Sequence, residues 1–151
     1  MAYGSTTGVQ ALLPALGTLG NNTTPTSTQV TAWLSQGASI IDRHLAGAGY
    51  TVPVSASATV YGELTALNDL YAAAIAAQAR GLDTVTGTEE NRSATWLERF
   101  YSQLDNLTTM PLVGVPLANG GTATRRRLRM TQLKRVDGYS APHDDDTDMD
   151  Q

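Results

Sequence analysis

Between Thr59 and Arg80 the apolar residues Val60, Leu64, Leu67, Tyr71, Ile75 and Ala79 return every three or four positions. The second half of that stretch reads Ala72-Ala73-Ala74-Ile75-Ala76-Ala77. Such spacing lines up on one side only when the backbone is helical. Alanine is also the strongest helix former and the thinnest side chain that still favours a helix. A helix this slim lets other helices come close. The tract therefore predicts a helical protein, with the thin alanine face suited to close packing, including packing against a neighbouring subunit.

Two further stretches carry the same period. Ser27 or Thr28 is expected to N-cap a helix whose apolar face is Val30, Trp33, Leu34, Ile40, Ile41 and Leu45. Gly37, Ala38 and Ser39 sit mid-helix, where small side chains allow a close crossing, and Ala46-Gly47-Ala48-Gly49 ends the helix. Thr88 is expected to cap a third long helix, with Glu89 and Glu90 in its first turn, where the helix dipole favours anions. Its apolar face is Trp96, Leu97, Phe100, Tyr101, Leu104 and Leu107. A short helix over Thr7–Leu13 comes before all three, and Pro14 disfavours its continuation.

After Met110 the pattern changes. Pro111 and Pro116 exclude a helix, Leu112-Val113-Gly114-Val115 reads as a short strand, and Asn119-Gly120 as a hairpin turn. The return strand runs from Thr122 to about Met130, with Arg125, Arg127 and Arg129 on one face and Arg126, Leu128 and Met130 on the other. A short helix over Thr124–Val136 is the rival reading. Residues 137–151 are too polar to pack and are expected to be unstructured when unbound. The expected fold is mainly α: a small antiparallel bundle of three long helices with a short N-terminal helix, a C-terminal β-hairpin and an extended tail. Its divisions are a helical body over 1–109, a basic docking segment over 110–136 and an acidic tail over 137–151.

Charge gives that last division its interest. The net charge is −4, yet residues 125–135 hold Arg125, Arg126, Arg127, Arg129, Lys134 and Arg135 with no acid. Residues 136–151 hold six Asp and no cation, whereas the first 124 residues set four Arg against eight acids. The basic strip has three readings: phosphate binding by counterion release, docking to an acidic partner or to the acidic tail of a neighbouring copy, or a solvated strand. The candidate partner-binding residues are those six cations with Tyr139, Asp144, Asp145 and Asp146.

Little points to catalysis. With no cysteine there is no disulfide, thiolate nucleophile or thiolate metal site, which fits a reducing compartment. His44 and His143 are the only histidines, and neither has a second ligand at a recognisable spacing. The Asp-rich run lacks the central Gly and closing Glu of a calcium loop. Neither a nucleophile elbow nor a phosphate-cradling loop is present. The reading is a non-enzyme with no cofactor. No stretch reaches the roughly 20 apolar residues of a membrane span, and the opening segment lacks the positive region of a signal peptide. A soluble protein is expected.

The order Tyr3…Thr7…Val9…Leu12-Leu13, then Val30…Trp33-Leu34…Ala38-Ser39…Ile41-Asp42…Leu45…Tyr50…Pro53, resembles the head–tail connector (adaptor, or head-completion) proteins of tailed bacteriophages. The most telling piece is an Ile-Asp-x-x-Leu helix end followed closely by Tyr-x-x-Pro. A helix with Leu64, Leu67 and an alanine-rich half ending at Ala79-Arg80 follows, as in that family. The resemblance covers roughly residues 3–107 and stops before Met110. It implies a structural subunit of the virion neck. Copies, commonly twelve, form a ring under the portal protein, extend the DNA channel without sequence-specific contact and offer a platform to stopper or tail proteins. The C-terminal segment would dock on the portal, and no catalytic residue is implied. The alternatives are a small DNA-binding protein using the Arg125–Arg135 strip and another neck protein, a stopper or tail terminator.

Overall fold

A computed structural model describes residues 3–81, 92–109 and 111–121. The described chain is mainly helical, with four helices: α1 (Thr6–Leu12), α2 (Ser27–Gly47), α3 (Tyr61–Ala79) and α4 (Arg92–Thr109). A 3₁₀ turn over Pro14–Leu16 follows α1, since Pro14 has no N–H to continue the ladder. Ser5 caps α1, its hydroxyl accepting the Gly8 N–H at 3.0 Å.

Helix α2 is capped one residue earlier than the sequence predicts. Thr26 accepts the Gln29 N–H, and the Gln29 side chain accepts the Thr26 N–H at 2.9 Å. This reciprocal pair satisfies two backbone donors at once, which neither Ser27 nor Thr28 achieves. Gly37 and Ala38 are buried where α2 meets α3, while Ser39 is exposed and returns its hydroxyl to the Ser35 carbonyl. A Cβ on Gly37 would lie 2.3 Å from the Asn68 side-chain oxygen, so glycine sets how near the helices come.

Helix α3 is the axis of the molecule and packs against α1, α2 and α4. It is buried on nearly every side: Ala72, Ala73, Ala74, Ala76 and Ala77 are all fully enclosed. This corrects the expectation for the alanine face. It is occupied within the chain, by Val9, Leu13, Val30 and Leu34 of α1, α2 and the segment between them, so it is not free for a neighbouring copy. Ile75 is half-buried and Ala79 exposed, so the predicted stripe fades at both positions.

The contacts fix the direction of the helices. Val30 and Leu34, early in α2, meet the alanine half of α3, while Ile41 and Leu45 join the cluster that holds Val60 and Leu64. Trp96 reaches the alanine half, Phe100 stacks on Tyr71 with ring centroids 5.0 Å apart, and Leu112 beyond α4 joins the Val60–Leu64 cluster. Both α2 and α4 therefore run antiparallel to α3. The apolar face predicted for α4 is present, with Phe100 and Leu104 fully buried and Tyr101 left 46% exposed.

Leu112–Val115 is a turn and not the predicted strand. The Val115 N–H reaches the Leu112 carbonyl at 3.2 Å, and Gly114 takes φ 85°, which a β-strand does not allow. The extended pairing falls two residues later and to an unforeseen partner, as an isolated antiparallel bridge between Tyr50 and Leu117. The turn at Asn119-Gly120 is present, with Gly120 at φ 83° and the Leu117 N–H on the Gly121 carbonyl at 2.7 Å. The expected return strand, the Thr88 cap with Glu89 and Glu90, and the tail lie outside the described residues.

Candidate functional site

The ten residues nominated by charge, Arg125, Arg126, Arg127, Arg129, Lys134, Arg135, Tyr139, Asp144, Asp145 and Asp146, all lie outside the described residues. The structure does describe the platform from which that segment departs and the surface beside it.

The platform is a knot around the α2–α3 connector. The Tyr50 hydroxyl accepts the buried Leu112 N–H at 2.9 Å. The Thr51 N–H donates to the Pro116 carbonyl at 2.8 Å and the Ala118 N–H to the Gly49 carbonyl at 2.9 Å. Residues 116–118 are thereby laced to 49–51, and Gly121 follows directly. A second tyrosine ties the other end of the chain to the same connector. The Tyr3 hydroxyl donates to Asp42 and accepts the Val54 N–H at 3.0 Å, while its ring lies edge-on to Tyr61 at 5.6 Å. Burial above all, and then the hydrogen bond to Asp42, hold the Tyr3 phenol far above its ordinary range. Asp42 and Tyr50, two residues of the spacing described above, are thus architectural: the first accepts the Tyr3 hydroxyl and the second accepts the Leu112 N–H.

Beside the knot, α3 and α4 leave an open groove of about 540 Å³. Its floor is apolar, from Leu67, Leu70 and Leu107, and it is closed by Leu12 of α1 and by Leu112. Two charges mark its ends. Arg99 precedes Phe100 and so stands at the level of Tyr71, whereas Glu63 lies about two turns earlier on α3, on the side where α4 ends. Both side chains are exposed, as is Gln103 on the α4 wall. Sequence reading overlooked this groove because it is shared between two helices. The signal was Glu63, Ala66, Leu67 and Leu70 on one face and Arg99, Gln103, Asn106 and Leu107 on the other, each at helical spacing.

Two buried polar groups complete the map. The Asp69 carboxylate sits in the elbow between α3 and α1, where it accepts the Ser5 N–H at 2.8 Å. Gly4 and Gly8 leave room for it: a Cβ on either would fall within 2.2 Å of a carboxylate oxygen. Burial raises the Asp69 carboxyl above its usual range, and the Ser5 N–H opposes that rise. The Asn68 amide is fully buried with no hydrogen-bond partner for its oxygen or nitrogen among the described residues. His44 is half-buried in a shallow cleft with Arg43 and Thr108. Among the described residues no group of three or more acids or histidines is placed to hold a metal ion, and no helix is long and apolar enough to cross a membrane. Comparison of the chain with protein-family models, with curated proteins and with solved structures finds no match.

Proposed function

We propose that this chain is a structural subunit of the neck of a tailed bacteriophage, a connector that docks in a ring beneath the portal protein and carries the DNA channel toward stopper or tail components. The observation that carries the reading is the knot at Tyr3, Asp42, Tyr50 and Val54. Tyr3 and Asp42 of the family resemblance are hydrogen-bonded to each other, and Tyr50 of the same pattern holds the Leu112 backbone, in the segment that leads to the strongly charged residues.

The physics of a connector fits such a body. A ring of identical copies needs heterologous contacts, one face of a subunit against a different face of the next. With the alanine face enclosed, that contact is assigned to the outer side of α4, where Tyr101 is exposed. An acidic body along the channel lets duplex DNA slide, whereas a basic lining would hold it by counterion release. Arg125–Arg135 and the Asp-rich tail then serve as the docking device. Each exposed ion pair is worth ~1 kcal/mol or less, and repetition around a closed ring multiplies the small gain.

The test is a reconstruction of portal-bearing capsids incubated with the purified chain. The reading expects density at the portal vertex with rotational symmetry. An empty vertex, or one lone copy bound there, overturns it.

A further inference from the structure

We infer that α1 and α2 lift from α3 as one layer, through an opening that leaves α3 and α4 packed together, and that the unpaired Asn68 amide at the α2–α3 crossing sets how often the layer lifts. The inference goes beyond the neck reading and does not rest on it.

It starts from where α3 buries its polar groups. Asn68 and Asp69 are neighbours in the middle of α3, and both are buried. Both face the α1–α2 layer. A Cβ on Gly37 of α2 would lie 2.3 Å from Asn68 Oδ1, and a Cβ on Gly4 or Gly8, at the head of α1, would lie within 2.2 Å of an Asp69 oxygen. Asp69 keeps the Ser5 N–H at 2.8 Å. Asn68 is fully enclosed, and neither end of its amide has a hydrogen-bond partner among the described residues. Gly37 brings it no side chain. A buried amide of this kind has given up its water and gained no bond in exchange, so the closed crossing is held less tightly than its apolar contacts alone would hold it.

Toward α4 the contacts of α3 are apolar. Tyr71 stacks on Phe100 with ring centroids 5.0 Å apart, and Leu67, Leu70 and Leu107 share the groove floor. Phe100 and Leu104 are fully buried. Parting α3 from α4 returns rings and leucines to water with nothing to offset the loss. Parting it from α2 exposes Val30 and Leu34 but gives the Asn68 amide back its water. The second break is the less costly, and local opening follows the less costly break.

Helix α1 travels with α2. The Tyr3 hydroxyl donates to Asp42 of α2, and Val9 and Leu13 share one cluster with Val30 and Leu34. The same cluster holds Ala72, Ala73, Ala76 and Ala77. The layer therefore keeps the thin face of α3 shut, and the face is shown only when the layer rises.

Hydrogen exchange on the full native chain, under conditions where it reports the opening equilibrium, tests this residue by residue. Relative to their unfolded rates, the amides of residues 34–45 in α2 are expected to exchange at least tenfold faster than those of 67–74 in α3 and 100–104 in α4. Leu107→Ala, in the α3–α4 groove, should speed exchange in α3 and α4 about fivefold or more and leave α2 within twofold, since the open form keeps that interface. Asn68→Ala and Asn68→Leu both remove the amide, and the second keeps a branch at the same carbon. At least one of them is expected to slow α2 exchange about fivefold or more, as relief of an unpaired buried group should. Protection of α2 equal to that of α3 and α4, or Leu107→Ala speeding all three helices alike, overturns the inference, because the opening is then global. So does α2 exchange that is unchanged or faster in both Asn68 variants.

Discussion

Tyr3 is the residue on which most depends for its size. Its hydroxyl serves Asp42 and the Val54 N–H together, and both its ring and the Val54 side chain are buried. Tyr3→Phe keeps the ring and leaves the Val54 N–H without its acceptor, a loss of about 1–3 kcal/mol. Thermal unfolding should show a lower Tm for the variant, by roughly 2–4 °C per kcal/mol in a chain of this length. Asp69 offers a prediction with a sign. Its folded pKa is raised, chiefly by burial, so protonation favours the folded state. The stability it contributes is full below the unfolded aspartate pKa and is lost as pH rises through the higher folded value. Asp69→Asn keeps the shape and removes the titration. Wild type and variant should therefore be nearest in stability in acid. The variant should gain relative to wild type as pH climbs toward neutrality, as chemical denaturation at a series of pH values would record. A difference that stays constant with pH would refute the assignment.

At the scale of the element, α3 teaches how far a sequence can be read. Its existence, extent and helical period were legible, because the repeat of Leu64, Leu67 and Tyr71 depends on local geometry alone. The destination of its alanine face was not. Alanine is thin enough for a partner helix within the subunit or from another subunit, and only the position of Val9, Leu13, Val30 and Leu34 decides between them. The choice has a measurable consequence. Ala73→Leu should destabilise the isolated chain by about 1–3 kcal/mol, as overpacking does. Ala79→Leu, at an exposed position on the same helix, should stay within about 0.5 kcal/mol. Had the alanine face been an intersubunit surface, Ala73→Leu would spare the lone subunit and impair assembly only. The same limit explains the strand predicted at Leu112–Val115. The apolar run was visible, but Gly114 turned it, and the pairing passed to residues 116–118 through contacts with 49–51 that no local pattern encodes. The Thr26 cap was misplaced by one position because Gln29 was not weighed as its partner.

The whole molecule combines an acidic helical body with a strip of six cations and an Asp-rich tail. If the tail is the docking device, a chain ending at Val136 should keep the helical circular dichroism of the full chain and join portal-bearing capsids markedly less well. Equal recruitment would remove the tail from the mechanism. The clustering of charge at residues 125–151 is visible in the sequence, since it needs no structure to be seen, whereas the groove is not, because it arises only once α3 and α4 lie side by side. The lacing of 116–118 onto 49–51 also sets how the chain bears load. A pull exerted on the chain beyond Gly121 arrives first at the Thr51–Pro116 and Ala118–Gly49 bonds and at the Tyr50 hydroxyl, and only afterwards at α4. That small patch is the mechanical fuse of the protein: while it holds, tension on the charged end is transmitted straight to the connector between α2 and α3, and the helices behind it are shielded.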